Sequence, residues 1–206
     1  MNNKVNIAVL VSGGGTNLQA LINAQKSGIL RSGEIKLVVS SNKNAYALKR
    51  AENAEIKIAV CERKGFSQKV FEDNILNALK KEKIEVIVLA GFMSILSAEF
   101  VKRYPERIIN VHPSLIPSFC GEGFYGLRVH KAALDYGVKV TGATVHFVNE
   151  IPDGGRIIMQ KAVEINENDT PEILQKRVME NAEWIILPAA AEKICKEIKE
   201  RKNERI

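Results

Sequence analysis

Between Lys4 and His112 the chain alternates apolar runs with segments of helical spacing. Lys4 to Val11 reads as a first strand, closed by Ser12-Gly13-Gly14-Gly15-Thr16-Asn17. Leu18, Ala20, Leu21, Ile22 and Ala24 then mark the buried side of a helix that ends near Gly28. The alternation continues with a strand from Ile35 to Ser41, helical spacing from Ala45 to Ala54 and a strand from Lys57 to Cys61. An amphipathic helix follows from Ser67 to Lys81. Glu85 to Ala90 is nearly all apolar, as expected for the middle of a parallel sheet covered on both faces. A short helix from Ala98 to Tyr104 leads into Arg107-Ile108-Ile109-Asn110-Val111-His112, a β-branched strand that stops in the stiff loop Pro113-Ser114-Leu115-Ile116-Pro117.

Beyond Pro117 the pattern changes. A loop from Ser118 to Gly126 precedes a helix from Leu127 to Tyr136, and Thr141 to Val148 alternates as a strand. The turn-rich segment Asn149-Glu150-Ile151-Pro152-Asp153-Gly154-Gly155 joins it to a returning strand, Arg156 to Ile165, expected to run antiparallel. A last helix starts at Thr170-Pro171, which supply a cap and a first-turn proline, and is expected to bend at Pro188 on its way to the tail. The predicted class is α/β: one domain over residues 1–206, a doubly wound and mostly parallel sheet, an antiparallel strand pair near the C-terminus and a C-terminal helix.

Composition narrows the choices. At 206 residues and 46% hydrophobic, the chain is large enough for one substantial core. The net charge of +6 favours anionic partners, but the basic tail from Lys193 to Arg205 is interleaved with Glu, and no nucleic-acid-binding motif accompanies it. No apolar run approaches membrane-spanning length. Cys61, Cys120 and Cys195 are widely spaced and odd in number, a pattern of reduced thiols in a cytoplasmic protein. His112, His130 and His146 show no metal-ligand spacing, so no metal is expected.

Three stretches carry candidate chemistry, and all fall at the carboxyl ends of strands, where an open α/β sheet forms its ligand crevice. Strand, glycine loop and helix in succession form either a phosphate cradle or a packing turn. The loop has no Gly-x-Gly-x-x-Gly, strand two ends in Ser40-Ser41-Asn42 without an acidic residue, and no Gly-Lys-Ser/Thr occurs there, so a nicotinamide or nucleoside triphosphate fits poorly and a phosphate monoester remains. Gly91-Phe92-Met93-Ser94-Ile95-Leu96 either accepts a flat aromatic ligand or belongs to the core. Asn110 and His112 share one face of their strand, placing an amide beside a titratable imidazole.

Taken together, Ser12 to Ala20, Leu89-Ala90-Gly91-Phe92-Met93, Asn110 to Pro117, and His146-Phe147-Val148 followed by Asp153-Gly154-Gly155 resemble the motifs of the phosphoribosylglycinamide formyltransferases, over essentially the whole chain. The resemblance implies a Rossmann-like formyltransferase fold and a folate-dependent step of purine synthesis, in which the formyl group of 10-formyltetrahydrofolate moves to the amine of glycinamide ribonucleotide. It implies Asn110, His112 and Asp153 as the catalytic trio, and Gly14, Gly15, Thr16, Asn17, Pro113 and Glu183 on the ribonucleotide. Folate would lie along Met93, Ser94, Ile95 and Leu96 and against Asn110, under a loop of Val148, Asn149, Glu150, Ile151, Pro152 and Asp153, with Lys69 at its anionic end. Its partners would be these two small molecules, with no nucleic acid or membrane, and the protein a monomer or weak homodimer. Three features depart from the family pattern: Ser94 where many members carry Arg, a longer loop after Pro117, and one extra residue between Arg177 and Glu183.

An amine attacking a formyl carbonyl forms a tetrahedral adduct whose oxyanion needs donors. Asn110 and protonated His112 supply them, with Asp153 favouring the protonated ring and relaying the amine's proton to the departing folate nitrogen. Folate deformylase and methionyl-tRNA formyltransferase would reuse the same trio. A thiol hydrolase built on Cys120 and a non-catalytic binder of a phosphorylated metabolite are the readings from other classes.

Overall fold

A computed structural model describes residues 4–204. Seven strands form one sheet in the order β3-β2-β1-β4-β5-β6-β7, with β1 Val5–Val11, β2 Gly33–Ser40, β3 Lys57–Val60, β4 Val86–Leu89, β5 Ile108–His112, β6 Val140–Phe147 and β7 Ile157–Glu164. The first five strands pair in parallel and β7 runs antiparallel to β6, as the sequence pattern leads one to expect; β6 also runs antiparallel to β5.

Alternation along β1 shows why both faces are covered. Val5, Ile7, Val9 and Val11 face a core shared with α1 Thr16–Ser27, α2 Tyr46–Asn53 and the C-terminal helices, whereas Ala8 and Leu10 face a second core filled by Phe71, Ile75 and Leu79 of α3 Gln68–Lys81 and Phe100 of α4 Ala98–Lys102. All six of these β1 side chains are fully buried.

The strand order reverses between β1 and β4, and this switch point sets the crevice. Leu10 pairs with Leu89, and Leu89 with Asn110, so the strand ends emerge side by side. Ser12 N–H donates to the Gly91 carbonyl at 3.1 Å, and Met93 N–H donates to Ser12 Oγ at 2.9 Å, which ties the glycine loop to the Phe92 loop. The Ile116–Pro117 peptide bond is cis.

The C-terminal helix departs from expectation. α6 Pro171–Val178 passes into a single π-helical turn, Met179–Glu183, and then α7 Trp184–Asn203, which contains Pro188 without a break in helical structure. The π turn thus lies upstream of Pro188. The π turn falls within the segment where the family resemblance implies one extra residue, and a widened turn is how a helix absorbs an added residue without rotating everything after it.

Candidate active site

β5 presents Asn110 and His112 on one face, and antiparallel pairing sets His146 of β6 opposite Asn110 and Thr144 opposite His112. Asp153 arrives from the Ile151–Gly155 turn with a left-handed φ of 54°. A Cβ on Gly155 would lie 1.7 Å from the Phe147 carbonyl oxygen, so only glycine lets this turn fold back on the end of β6.

The result is a compact polar cluster. Asp153 Oδ2 lies 3.3 Å from His112 Nδ1, and Asp153 Oδ1 lies 3.5 Å from both His146 Nε2 and Asn110 Nδ2. His146 Nδ1 donates to the Phe147 carbonyl at 2.8 Å, which leaves Nε2 to accept from Asn110 Nδ2 at 3.3 Å. The amide of Asn110 is thereby oriented by two acceptors. His146 belongs to the site although strand alternation alone did not single it out; the register between β5 and β6 does.

His112 Nε2 donates to the Phe119 carbonyl at 2.9 Å while Nδ1 faces Asp153. Two acceptors around one ring call for the imidazolium, yet burial lowers the His112 pKa and outweighs the pull of Asp153 and the Phe119 carbonyl. The contacts define where the proton sits when it is bound, and burial makes the ring ready to give it up. Burial alone would raise the Asp153 pKa, but the His112 charge and the Gly121 N–H lower it, so the carboxylate stays ionised.

At the other end of the crevice, Gly15 caps α1 in a left-handed conformation, and a Cβ there would meet the Ala47 Cβ at 2.6 Å. Arg50 Nε donates to the Gly14 carbonyl at 2.8 Å and its Nη1 to Gln19 Oε1 at 3.1 Å, fixing the loop from the side. Nothing in the sequence pattern pointed to Arg50. Asn17 Nδ2 donates to Glu183 Oε2 at 2.7 Å, and burial raises the Glu183 pKa to about 6 against that hydrogen bond.

A cleft of about 460 Å³ joins the two ends; Asn17, Met93, Asn110, His112, Pro113, Asp153 and Glu183 line it. A recess of about 130 Å³ opens beside Asn110 and His146, walled by Leu89, Phe92, Ser94, Ile95, Leu96 and the stretch Val148–Asp153. The Phe92 loop is held from behind: Gln68 Nε2 donates to the Ile95 carbonyl at 3.0 Å, and Ser97 donates through N–H and Oγ to the Glu72 carboxylate, both at 2.6 Å. Gly14, Gly15 and Thr16 sit outside the cleft lining, with Thr16 Oγ1 turned to Met179 Sδ. Lys69 is likewise outside it, on the exposed face of α3 and paired with Asp73 at 2.6 Å.

Cys120 has the wrong chemistry for a nucleophile. Its thiol donates to the Pro117 carbonyl, and burial together with Asp153 raises its pKa. Among the described residues no group of three or more His, Cys, Asp or Glu is arranged to hold a metal ion, and no helix is long and apolar enough to cross a membrane.

Comparison with known proteins agrees with this architecture. The formyl transferase family model matches residues 5–190. Phosphoribosylglycinamide formyltransferase of Haemophilus influenzae is 42% identical over 183 residues, 88% of this chain and 83% of the relative. The trifunctional purine biosynthetic protein adenosine-3 of Gallus gallus is 46% identical over 94% of this chain, which spans only 19% of that relative's length. Glycinamide ribonucleotide transformylase 1 of Symbiobacterium toebii superposes with a TM-score of 0.88 at 35% identity, covering 96% of this chain and 90% of its own. The corresponding formyltransferase of Brucella melitensis superposes at 0.85 and 41% identity, covering 93% and 96%. On the family match across residues 5–190 and these near full-length likenesses, the chain belongs to the phosphoribosylglycinamide formyltransferase family.

Proposed function

We propose that this protein, as one cytoplasmic domain acting alone or as a weak homodimer, transfers the formyl group of 10-formyltetrahydrofolate to the amine of 5'-phosphoribosylglycinamide, yielding the N-formyl product and tetrahydrofolate in de novo purine synthesis. The observation that carries the reading is one cleft lined by Asn17, which directly follows the glycine loop, and by Asn110, His112 and Asp153. The phosphate rests on the Gly14 to Asn17 backbone at the positive end of α1, and the glycyl amine reaches the trio. The pterin enters the recess under Val148–Asp153, with Lys69 at the anionic tail.

The new N–C bond forms as the amine attacks the formyl carbon, and the folate N–C bond breaks when the tetrahedral adduct collapses. His112 and Asn110 donate to the oxyanion. Both are engaged by protein acceptors in this structure, so transfer requires one donor to leave its partner, the Phe119 carbonyl in the case of His112 Nε2. Asp153 passes the amine's proton to the departing folate nitrogen, directly or through water. An absorbance assay of purified protein with formyl-folate and glycinamide ribonucleotide, each omitted in turn, tests the reading. Product only with both present is expected; tetrahydrofolate release without the ribonucleotide would make the enzyme a deformylase.

A further inference from the structure

His130 is a feature that this chemistry leaves unused. It lies on α5 Leu127–Tyr136, is 1% exposed, and neither ring nitrogen has a hydrogen-bond partner. A buried polar group without a partner destabilises a fold by about 1–3 kcal/mol, and native structures retain few of them. This one lines the same cleft as Asn17, His112 and Glu183.

We propose that His130 hydrogen-bonds the carboxamide that links the sugar of the ribonucleotide to its glycyl amine. The proposal rests on the formyl-transfer reading and adds a substrate-positioning contact to it. Two anchors fix the order of groups along the cleft: phosphate at the glycine loop and amine at the trio. The carboxamide is one methylene from the amine, so it must lie close to His112, and His112 and His130 line the same cleft. The sugar, lying between phosphate and carboxamide, then falls toward Asn17 and Glu183, which also line the cleft. Burial, reinforced by His112, holds the His130 pKa down at about 4, so the ring is neutral near pH 7 and offers one donor and one acceptor. A carboxamide offers one of each in return, with no charge to compensate. The pairing holds the glycyl arm so that its amine points at the formyl carbon and not back along the cleft.

The test is calorimetric binding of two probes, glycinamide ribonucleotide and ribose 5-phosphate, to the wild-type protein, His130→Phe and His130→Gln. Phe keeps the ring without hydrogen-bonding atoms; Gln restores a donor and an acceptor. The expected result is about tenfold weaker binding of glycinamide ribonucleotide to His130→Phe, unchanged ribose 5-phosphate binding, and recovery of most of the loss in His130→Gln. Free His130→Phe should melt no lower than wild type, because it removes an unpartnered polar ring. If Phe is not accommodated, His130→Leu takes its place. Unchanged glycinamide ribonucleotide binding would overturn the proposal, and equal weakening of both probes would move the contact to the sugar phosphate and overturn the carboxamide assignment. A wild-type protein that binds ribose 5-phosphate but not glycinamide ribonucleotide would remove the formyl-transfer reading itself and the proposal with it.

Discussion

Gly121 donates its backbone N–H to Asp153 Oδ2 at 3.0 Å, the oxygen that also faces His112 Nδ1 at 3.3 Å. The loop after Pro117 thus closes on the polar cluster twice, here and through the Phe119 carbonyl on His112 Nε2. A carboxylate oxygen accepts both contacts, whereas an amide nitrogen would accept neither.

Asp153→Asn therefore separates charge from shape. Asn tolerates the left-handed φ of 54° as readily as Asp, so the turn should survive. We expect glycinamide ribonucleotide binding within about threefold of wild type and turnover reduced by a hundredfold or more, since proton handling typically contributes 10²–10⁴. Steady-state kinetics beside calorimetry checks this, and turnover near the wild-type rate would remove Asp153 from its assigned role.

His146→Phe tests a different link. With Nε2 gone, Asn110 Nδ2 loses the acceptor at 3.3 Å and keeps only the longer contact to Asp153. The amide should then sample both orientations, presenting the oxyanion with an acceptor part of the time. The expected loss is about ten- to hundredfold in kcat with little change in KM for the ribonucleotide, whose phosphate end is untouched. A KM effect without a kcat effect would mean that His146 only shapes the pocket.

How much of this was legible beforehand depends on the range of the signal. Alternation within β5 is enough to put Asn110 and His112 on one face, and the all-apolar Val86–Leu89 run marks a buried parallel strand, because both facts are local. His146 needs the register between β5 and β6, a pairing no single strand encodes. Arg50 reaches the glycine loop across 36 residues of sequence, through a side chain whose direction only the packed α2 decides. The π turn at Met179–Glu183 leaves no mark in the hydrophobic period, so the sequence pattern points only to Pro188 as an irregular position in this helix.

Gly14 and Gly15 are adjacent but should behave differently. Gly15 has φ of +72° and no room for a Cβ beside Ala47, whereas nothing lies within 4 Å of the Cβ position on Gly14. Gly15→Ala is expected to destabilise the fold by about 2 kcal/mol or more, from backbone strain plus the clash, and to lower the melting temperature by several degrees. Gly14→Val should leave the melting temperature within about two degrees of wild type and weaken only phosphate-bearing ligands, because the added branch crowds the backbone N–H groups. Equal thermal effects at both positions would show that the loop is not built around Gly15.

The buried titrating groups give the stability curve a testable shape. His130 has a pKa of about 4 in the folded protein against 6.5 in the unfolded chain, so between these values the unfolded state binds more protons. Stability from this source is present above pH 6.5 and is lost as pH falls through the window, by about 3 kcal/mol in full. Glu183 acts the other way: its carboxyl is raised from 4.5 to about 6, so over that interval the folded state binds more protons and stability falls with rising pH by about 2 kcal/mol. His112 is also lowered by burial and adds to the acid-side loss. The wild-type curve is therefore a partial cancellation, and the difference between wild type and His130→Gln isolates the first contribution. Urea unfolding at pH 4.5, 5.5 and 7.5 should show the wild type losing about 2–3 kcal/mol relative to the variant from the highest pH to the lowest. A difference independent of pH would mean that His130 takes up its proton as easily folded as unfolded, against the burial of its ring.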